Sequence, residues 1–422
     1  MAMIDKELMR SEPEKVRKAL ESRGDGLKAF DKLLKLDAEW RAMKGEADSL
    51  RAERNKLGLE IAKAAKAKKD IAPLKRKGEK IAKRLGEIGE KEKKLEEKRI
   101  GIMLTVPNLP HESVPAGKDS SGNVDVREWG KVKRGSADVE PHYELGPRLG
   151  VIDFERGAKL GGHRFTVLSG WAAKLERALG QFMVSLQIGR GYRELSVPYL
   201  VKTEVMEGTG QLPKFKEDLY ETEDGLWLIP TAEVPLVNVH RDEVLEEAQL
   251  PISYCGLTPC FRREAGAYGK DIKGLIRQHQ FTKVELVKFA LPEKSYSELE
   301  KLTLDAEAVL QQLELPYKVV ELCTGDLGFA ASKTYDVEVW IPSQDTYREI
   351  SSCSNCGEFQ ARRADIKVRR KEGLEYAHTL NGSGLAVGRC MVSLIENFQE
   401  DRGIRVPKAL QPYMETDYIE MK

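Results

Sequence analysis

The sequence lacks the apolar segments of a membrane or secreted protein. Nowhere do about 18 uncharged apolar residues run together, and residues 1–10 carry charges throughout. The chain of 422 residues has only six cysteines, all in its second half and without the dense spacing of a disulfide scaffold. These features predict a cytoplasmic protein with reduced thiols and no membrane partner.

Two common nucleotide-binding loops are also missing. The chain has no Gly-x-x-x-x-Gly-Lys-Ser/Thr and no Gly-x-Gly-x-x-Gly behind a strand. Its one Cys-x-x-Cys, from Cys353 to Cys356, has no second pair at zinc-ribbon spacing, which favours ordinary buried cysteines over zinc ligands. If the protein binds a nucleotide, side chains must hold it.

The charge is distributed unevenly along the chain. The net charge of +1 by itself argues against a nucleic-acid partner. Residues 27–102, however, hold 23 Lys and Arg against 14 Asp and Glu, which is +9 and leaves 1 − 9 = −8 elsewhere. A basic module is therefore attached to an acidic body.

Apolar residues in the basic module recur at alternating spacings of three and four, which predicts two long helices with a coiled-coil seam. The first run is Leu33, Leu36, Trp40, Met43, Ala47, Leu50, Leu57 and Ile61, interrupted by Arg54. The second is Leu74, Ile81, Leu85, Ile88, Leu95 and Ile102, interrupted by Gly78, Glu92 and Arg99. The short connection at residues 70–73 requires antiparallel helices of about 30 residues each.

Basic residues crowd the outer end of this predicted hairpin: Lys63, Lys66, Lys68, Lys69, Lys75 and Arg76. They suit either a solvated coiled coil or contact with the phosphates of a nucleic acid. Because no RRM or KH signature is present, such contact would recognise backbone shape. Pro, Gly and Ser then mark a boundary, which gives a helical domain at 1–104, a linker at 105–130 and a body at 131–422.

The body is predicted to be an α+β domain with a largely antiparallel sheet. Segments of strand character at 226–229, 252–261, 283–289 and 335–341 are separated mostly by turns. Amphipathic helices are predicted at 172–187, 297–313 and 385–399.

One predicted strand pair carries side chains that suit ATP. Arg262 and Glu264 are expected on one face of the first strand, with Phe281 and Glu285 on the second. An arginine can neutralise phosphate, a glutamate can accept the adenine amine, and a ring can stack on the base. A surface ion pair is the competing interpretation of Arg262 and Glu264.

Two further segments favour a nucleotide with its metal. Arg389 is expected near the first turn of a helix, where the dipole also favours anions. Glu349, Ser351 and Ser352 are expected on a strand and offer hard oxygen ligands for Mg²⁺. His279 is a candidate base, but its apolar neighbours favour a structural role.

Together these segments resemble the signature motifs of bacterial-type seryl-tRNA synthetases, which are class II aminoacyl-tRNA synthetases. The three class motifs correspond to residues 191–198, the Arg262 strand pair and the Gly388-Arg389 helix. Further matching segments are 208–215, 230–235, 274–281 and 379–384, so the resemblance covers essentially the whole chain. It implies an antiparallel sheet flanked by helices, in a homodimer built on the first motif.

The resemblance also implies roles for individual residues. Serine would contact Thr231, Ala232, Glu233, Glu285 and Ser383. ATP would contact Arg262, Arg263, Glu264, Phe281, Glu349, Ile350, Ser351, Ser352 and Arg389, with Mg²⁺ on Glu349 and Ser352. Arg262 and Arg389 would be the catalytic cations. The helical hairpin would bind serine tRNA, with selenocysteine tRNA as a second candidate and no role for DNA.

The loop between the paired strands departs from the usual family pattern at Arg263, Tyr268, Lys270 and Lys273, which puts details of tRNA identity in doubt. Two rival functions are a homologue that loads an amino acid onto a carrier protein and an inactive tRNA-binding paralogue. The first would be expected to lose the basic hairpin, and the second to lose a serine or ATP ligand. Neither loss is present.

Overall fold

The computed structural model describes residues 4–132, 139–265 and 273–421. The chain divides into two compact units. Of the described residues, one unit comprises 4–21 and 25–107, and the other comprises 22–24 and those from 108 to 421. No helix within these described ranges is both long and apolar enough to span a bilayer.

The first unit is built around a pair of long helices. Its elements are α1 Lys6–Ser11, all but the last two residues of α2 Pro13–Arg23, α3 Leu27–Lys66 and α4 Ala72–Met103. Ion pairs between Glu46 and Arg84 at 2.7 Å and between Glu53 and Lys77 at 2.8 Å show that α3 and α4 run antiparallel. The predicted helical hairpin is therefore confirmed, with a connection at residues 67–71 rather than 70–73.

A buried cluster of charges ties α1, α3 and α4 together. Asp37 is 1% exposed and accepts hydrogen bonds from Arg10 at 2.8 and 2.9 Å, from Arg41 at 3.1 Å and from Arg99 at 3.3 Å. The Arg99 guanidinium also lies 4.8 Å from the centre of the Trp40 ring. Arg99, which interrupts the apolar pattern of the predicted seam, is 1% exposed and is accommodated there because its charge is paired.

The second unit carries the remaining elements. Its helices are α5 His142–Arg148, α6 Phe154–Gly161, α7 Gly170–Gly189, α8 Thr203–Gly208, α9 Glu233–Asn238, α10 Ser295–Gln312, α11 Phe359–Ala364, α12 Val387–Asn397 and α13 Gln411–Met414. Its strands are β1 Val124–Trp129, β2 Ile152–Asp153, β3 Val167–Leu168, β4 Arg193–Glu194, β5 Leu200–Val201, β6 Trp227–Leu228, β7 Val244–Glu246, β8 Ile252–Phe261, β9 Gln280–Ala290, β10 Tyr317–Glu321, β11 Lys333–Ile341, β12 Thr346–Asn355, β13 Lys367–Arg370, β14 Gly373–Tyr376, β15 His378–Ala386, β16 Gln399–Glu400, β17 Gly403–Arg405 and β18 Tyr418–Glu420.

An eight-stranded sheet in the order β1-β10-β11-β12-β15-β9-β8-β4 forms the centre of the body. All neighbours pair antiparallel except β4 and β8, which are parallel. The prediction of an α+β body with a largely antiparallel sheet is confirmed. The strand β1 was not expected, because residues 124–129 lie in the segment predicted to be a linker, yet it pairs with β10.

Helices α7, α10 and α12 supply the apolar faces that cover this sheet. Leu175, Leu302 and Leu394, one from each helix, are fully buried in the same apolar core. The spacing of apolar residues in α10 places them on one side, as predicted. The helix predicted at 385–399 begins later, at Val387, because Leu385 still pairs with Val284 as part of β15.

Candidate active site

A cavity of about 660 Å³ opens over the β9, β12 and β15 faces of the sheet. Its walls bring together most of the residues that the sequence had singled out. The lining falls into two groups by chemistry. The first, called here the carboxylate end, is Thr231, Glu233, Glu285 and Ser383, and the other, called the arginine end, is Arg262, Glu264, Phe281, Glu349, Ile350, Ser352 and Arg389. A cavity of this size suits a nucleotide together with a small second substrate.

The first end of the cavity holds a buried carboxylate on β9. Glu285 is 2% exposed, and its Oε2 accepts a hydrogen bond from the Thr231 hydroxyl at 2.7 Å. Lys283, two residues earlier on the same strand, forms an ion pair with Glu285 and also lines the cavity. Ser383 lies opposite Glu285 in the β15–β9 pairing. Glu285, Lys283, Thr231 and Ser383 together offer one carboxylate, one ammonium group and two hydroxyls to a small polar ligand.

A second carboxylate, Glu233, begins the short helix α9. Its Oε1 accepts hydrogen bonds from the side-chain amides of Gln360 at 2.6 Å and Asn381 at 3.1 Å. Burial, reinforced by the nearby charge of Glu285, raises the pKa of Glu233 to about 7. An ammonium group placed between Glu233 and Glu285 would favour the charged form of both carboxylates.

The other end of the cavity holds an arginine over an aromatic ring. The Arg262 guanidinium lies 5.2 Å from the centre of the Phe281 ring, and its Nε donates to the Pro230 carbonyl at 3.2 Å. Because β8 ends at Phe261, the prediction that Arg262 and Glu264 occupy one strand was wrong. Glu264 has a left-handed φ of 50°, which turns its carboxylate into an ion pair with Arg277.

A second arginine approaches from the helix α12. Arg389 is the third residue of that helix, as expected, so its guanidinium adds to the positive end of the helix dipole. Its Nε donates to the Ile276 carbonyl at 3.2 Å, and a terminal nitrogen lies 3.7 Å from the Glu349 carboxylate. Two fixed cations, Arg262 and Arg389, therefore line the same cavity as Phe281.

Hard oxygen donors lie beside Arg389 on β12. Glu349 and Ser352 line the cavity, and Asp336 pairs with Ser352 in the neighbouring strand β11. The Oδ1 of Asp336 is buried without a hydrogen-bond partner in the described part of the chain. Burial and the charge of Glu349 raise the pKa of Asp336 well above its usual range. A cation bound at these oxygens would satisfy them.

A buried histidine, His142, holds in place the residues that precede β9. His142 is fully buried, and its Nδ1 hydrogen-bonds to the Glu396 carboxylate at 2.7 Å. Since Nδ1–H donates there, Nε2 is free to accept the backbone N–H of Leu275 at 3.1 Å. Gly274 has a φ of +83°, and a Cβ there would lie 2.1 Å from His142 Nε2. These contacts fix the residues that lead into β9.

Some predicted ligands lie away from the cavity wall. Ala232 is fully buried in an apolar cluster, and the Ser351 hydroxyl donates to the Ser383 carbonyl at 2.7 Å. The Arg263 guanidinium lies 5.9 Å from the centre of the Tyr220 ring. His279 hydrogen-bonds the Arg262 carbonyl at 2.9 Å, which fits a structural role.

Several residues that line the cavity were given no role from the sequence, among them Arg277, Lys283 and Asn381. Lys283 and Glu285 are two apart on a strand, so the alternation of side chains along β9 was a signal that could have found Lys283. Of the unusual loop residues, Tyr268 and Lys270 fall outside the described ranges, while Lys273 lies 5.5 Å from the centre of the Tyr143 ring.

The six basic residues predicted to contact tRNA are exposed on the surface of the helical unit. Lys63 and Lys66 are exposed in the last turn of α3, and Lys68 and Lys69 are exposed in the connection. Lys75 and Arg76 are exposed near the start of α4. Their side chains are therefore available to a polyanion.

Models of two protein families match the chain. Residues 3–110 match the seryl-tRNA synthetase N-terminal domain, and residues 214–398 match the class II tRNA synthetase core domain (G, H, P, S and T). The serine--tRNA ligase of Fervidobacterium nodosum is 53% identical over 426 residues, covering 99% of both chains.

Solved structures of seryl-tRNA synthetases are also similar to this chain over nearly its whole length. The seryl-tRNA synthetase of Pyrococcus horikoshii, crystallised with ATP, is 40% identical and superposes with a TM-score of 0.94 over 99% of this chain and 100% of its own. The cytoplasmic serine-tRNA ligase of Naegleria fowleri, in complex with AMP, is 30% identical with a TM-score of 0.89 over 99% of each chain.

Proposed function

Because this chain belongs to the seryl-tRNA synthetase family of class II synthetases, we propose that it joins L-serine to serine tRNA in two steps. ATP and serine first give seryl-adenylate and pyrophosphate, and the seryl group then passes to the 3′ end of the tRNA. The observation that carries this proposal is the single cavity, which has paired carboxylates at one end and two arginines with an aromatic ring at the other.

Serine binding is assigned to the carboxylate end of the cavity. Glu233 and Glu285 would hold the ammonium group and the hydroxyl, with Thr231 and Ser383 as further polar contacts. A site built to hydrogen-bond a hydroxyl rejects alanine because buried groups would be left unpaired. This reasoning favours an amino acid that is small and hydroxylated.

ATP binding is assigned to the arginine end of the cavity. Phe281 would stack on adenine, and Glu264 would accept the adenine amine after its ion pair with Arg277 opens. The serine carboxylate would attack the α-phosphate in line, forming one P–O bond as the bond to pyrophosphate breaks. Arg262 and Arg389 would neutralise the charge that develops there, and a general base is unnecessary because the carboxylate is already ionised.

Mg²⁺ fits the oxygen donors on β12. Glu349 and Ser352 would hold it together with ATP phosphates, since Mg²⁺ commonly uses one or two protein oxygens and keeps the rest for phosphate and water. The Oδ1 of Asp336, which is buried and has no hydrogen-bond partner among the described residues, supports a cation at this position. When bound, the metal would supply charge neutralisation at the phosphates.

The remaining partners follow from the surfaces of the two units. The exposed basic residues at the end of the helical hairpin would contact the backbone of serine tRNA, which explains the +9 charge of residues 27–102. A second copy of the chain would pair through the first class motif, residues 191–198, where β4 forms one edge of the sheet. The site residues of each copy would still come from one chain.

Serine-dependent exchange of pyrophosphate into ATP tests the first step directly. We expect the purified protein to catalyse exchange with serine and not with alanine, and to require Mg²⁺. Charging of a serine tRNA transcript then tests the second step, whereas charging of a carrier protein instead would favour the rival synthetase homologue. Absence of exchange with every amino acid would contradict the proposal.

A further inference from the structure

The polar side chain of Gln360 is fully buried. It contacts residues of the cavity wall but does not line the cavity itself. It lies on α11, and its Nε2 donates to the Glu233 carboxylate at 2.6 Å and to the Thr209 carbonyl at 3.3 Å. Its Oε1 accepts the Thr379 hydroxyl at 2.7 Å. The serine and ATP contacts proposed above make no use of this residue.

These three contacts fix which way the amide of Gln360 points. If the amide were flipped, its oxygen would face two acceptors, the Glu233 carboxylate and the Thr209 carbonyl. Both bonds would then be lost at a fully buried position, at a substantial cost for each unpaired group. The Thr379 hydroxyl, which donates to the opposite side, stabilises the observed orientation.

Both donors to Glu233 converge on the same oxygen. Gln360 and Asn381 both donate to Oε1, and no hydrogen bond from the described residues reaches Oε2. One oxygen is therefore held by the protein while the other is left for a ligand. Thr209 begins the 209–215 segment, several of whose residues also line the cavity, so Gln360 joins two walls of the site.

We propose that Gln360 is a positioning residue for amino-acid recognition, which holds Glu233 in the direction and charge state that bind the substrate's ammonium group. This inference rests on the proposed function, because it assumes that Glu233 contacts serine. The inference adds Gln360, which lies outside the cavity wall, as a residue that sets the affinity for serine without contacting serine.

The groups around Glu233 determine the sign of the expected pH effect. Glu285, Lys283, Arg262 and the buried Cys356 thiol face it. Burial and the Glu285 charge raise the pKa of Glu233, while the hydrogen bond from Gln360 lowers it. Loss of that bond moves the pKa upward, so less of Glu233 is ionised at pH 7, and ionisation is recovered as the pH rises.

The test compares Gln360→Leu with Gln187→Leu. Gln187 is an equally buried glutamine, on α7, that donates to the Asp305 carbonyl at 2.9 Å and does not line the cavity. In pyrophosphate exchange, we expect Gln360→Leu to raise the KM for serine about ten-fold at pH 7 and clearly less at pH 8.5. The KM for ATP should change less than about two-fold, and Gln187→Leu should leave both KM values and their pH profiles unchanged.

A second variant, Thr379→Val, covers the case in which Gln360→Leu does not fold. It keeps the donor but frees the amide to flip, so the KM for serine should rise about three-fold with the same pH trend. An unchanged serine KM in folded variants would overturn the proposal. So would an equal, pH-independent rise in both KM values, which indicates general damage. Absence of exchange in the unaltered protein would instead contradict the proposed function.

Discussion

The helical unit and the body both bury carboxylates, but they neutralise them to different degrees. Asp37 in the helical unit is contacted by three arginines, and every contact comes from the same unit. In the body, Glu233 and Glu285 lie close enough to repel each other, and Lys283 is the ammonium group paired with Glu285. The first cluster is complete by itself, whereas in the second no hydrogen bond from the described residues reaches Oε2 of Glu233.

This difference shows in the pKa values of the two carboxylates. Burial alone would raise the pKa of Asp37, but the hydrogen bond from Arg10 and the surrounding arginine charges hold it below its usual range. Burial and Glu285 instead raise the pKa of Glu233 to about 7. A saturated cluster stabilises structure, while an incomplete one is suited to receive a cationic group from a substrate.

The largest effect should come from Arg262→Ala. It removes a cation from the nucleotide end of the cavity, where charge develops in the proposed first step. We expect pyrophosphate exchange to fall about 1000-fold, equivalent to about 4 kcal/mol of transition-state stabilisation. The melting temperature should stay the same, since Arg262 makes one neutral hydrogen bond to Pro230.

The matched control for this prediction is Arg156→Ala. Arg156 is an exposed arginine paired with Asp153 on the surface. Its removal should leave exchange within about two-fold of the unaltered protein, because exposed ion pairs contribute little. Equal activity of the Arg262 and Arg156 variants would remove Arg262 from the mechanism.

An intermediate effect is expected from Asp37→Asn, which breaks the saturated cluster. Arg10, Arg41 and Arg99 would lose the carboxylate they share, and Arg99, which is 1% exposed, would keep its ion pair with Glu96. We expect the helical unit to lose about 3 kcal/mol of stability, measured by circular dichroism during urea unfolding. Pyrophosphate exchange should be unaffected, and loss of exchange would contradict the separation of the two clusters.

The same cluster predicts a pH dependence. Because the folded pKa of Asp37 is lowered, its contribution to stability is fully present above the unfolded pKa of about 3.9. That contribution is lost as the pH falls through the lower, folded pKa. In acid titrations, the Asp37→Asn variant should therefore converge with the unaltered protein only once the pH has fallen below the lowered pKa of folded Asp37.

The smallest effect should come from the charges at the end of the hairpin. A combined variant replaces Lys63, Lys66, Lys68, Lys69, Lys75 and Arg76 by glutamine. We expect tRNA charging at physiological salt to fall about ten-fold and its salt dependence to flatten, while exchange stays unchanged.

The control for the hairpin variant replaces Lys91, Lys93, Lys94 and Lys98 by glutamine. These residues lie near the other end of α4. If both variants lost charging equally, net charge rather than the end of the hairpin would govern tRNA binding. A loss of exchange in either variant would show that the basic module also serves the first step.

Regular elements were the most predictable part of the fold. The spacing of apolar residues predicted α3, α4 and α10, because one face of each helix packs against a neighbour over its whole length. The strand predicted at 252–261 has the bounds of β8. Errors fell at the ends of elements, as at Leu385, where pairing with β9 continues β15 into a segment with a helical pattern.

Individual contacts in the site were less predictable. Arg262 and Glu264 were placed on a strand because alternation was assumed to continue past Phe261, whereas Glu264 adopts a left-handed conformation. Tertiary contacts also decided that Ser351 bonds to the Ser383 carbonyl and does not line the cavity. Lys283, by contrast, follows from alternation along β9 and was overlooked.

The sequence by itself determined the two units, the class of fold and the residue types of the site. Those follow from local periodicity, charge distribution and short motifs, each of which spans a few neighbouring residues. The tertiary structure alone decided the partners. Arg99 can be buried because it pairs with Asp37, which is 62 residues away in the sequence. Glu233 is oriented by Gln360, which is 127 residues away in the sequence. Such pairs depend on how distant elements pack, and no local pattern in the sequence records that.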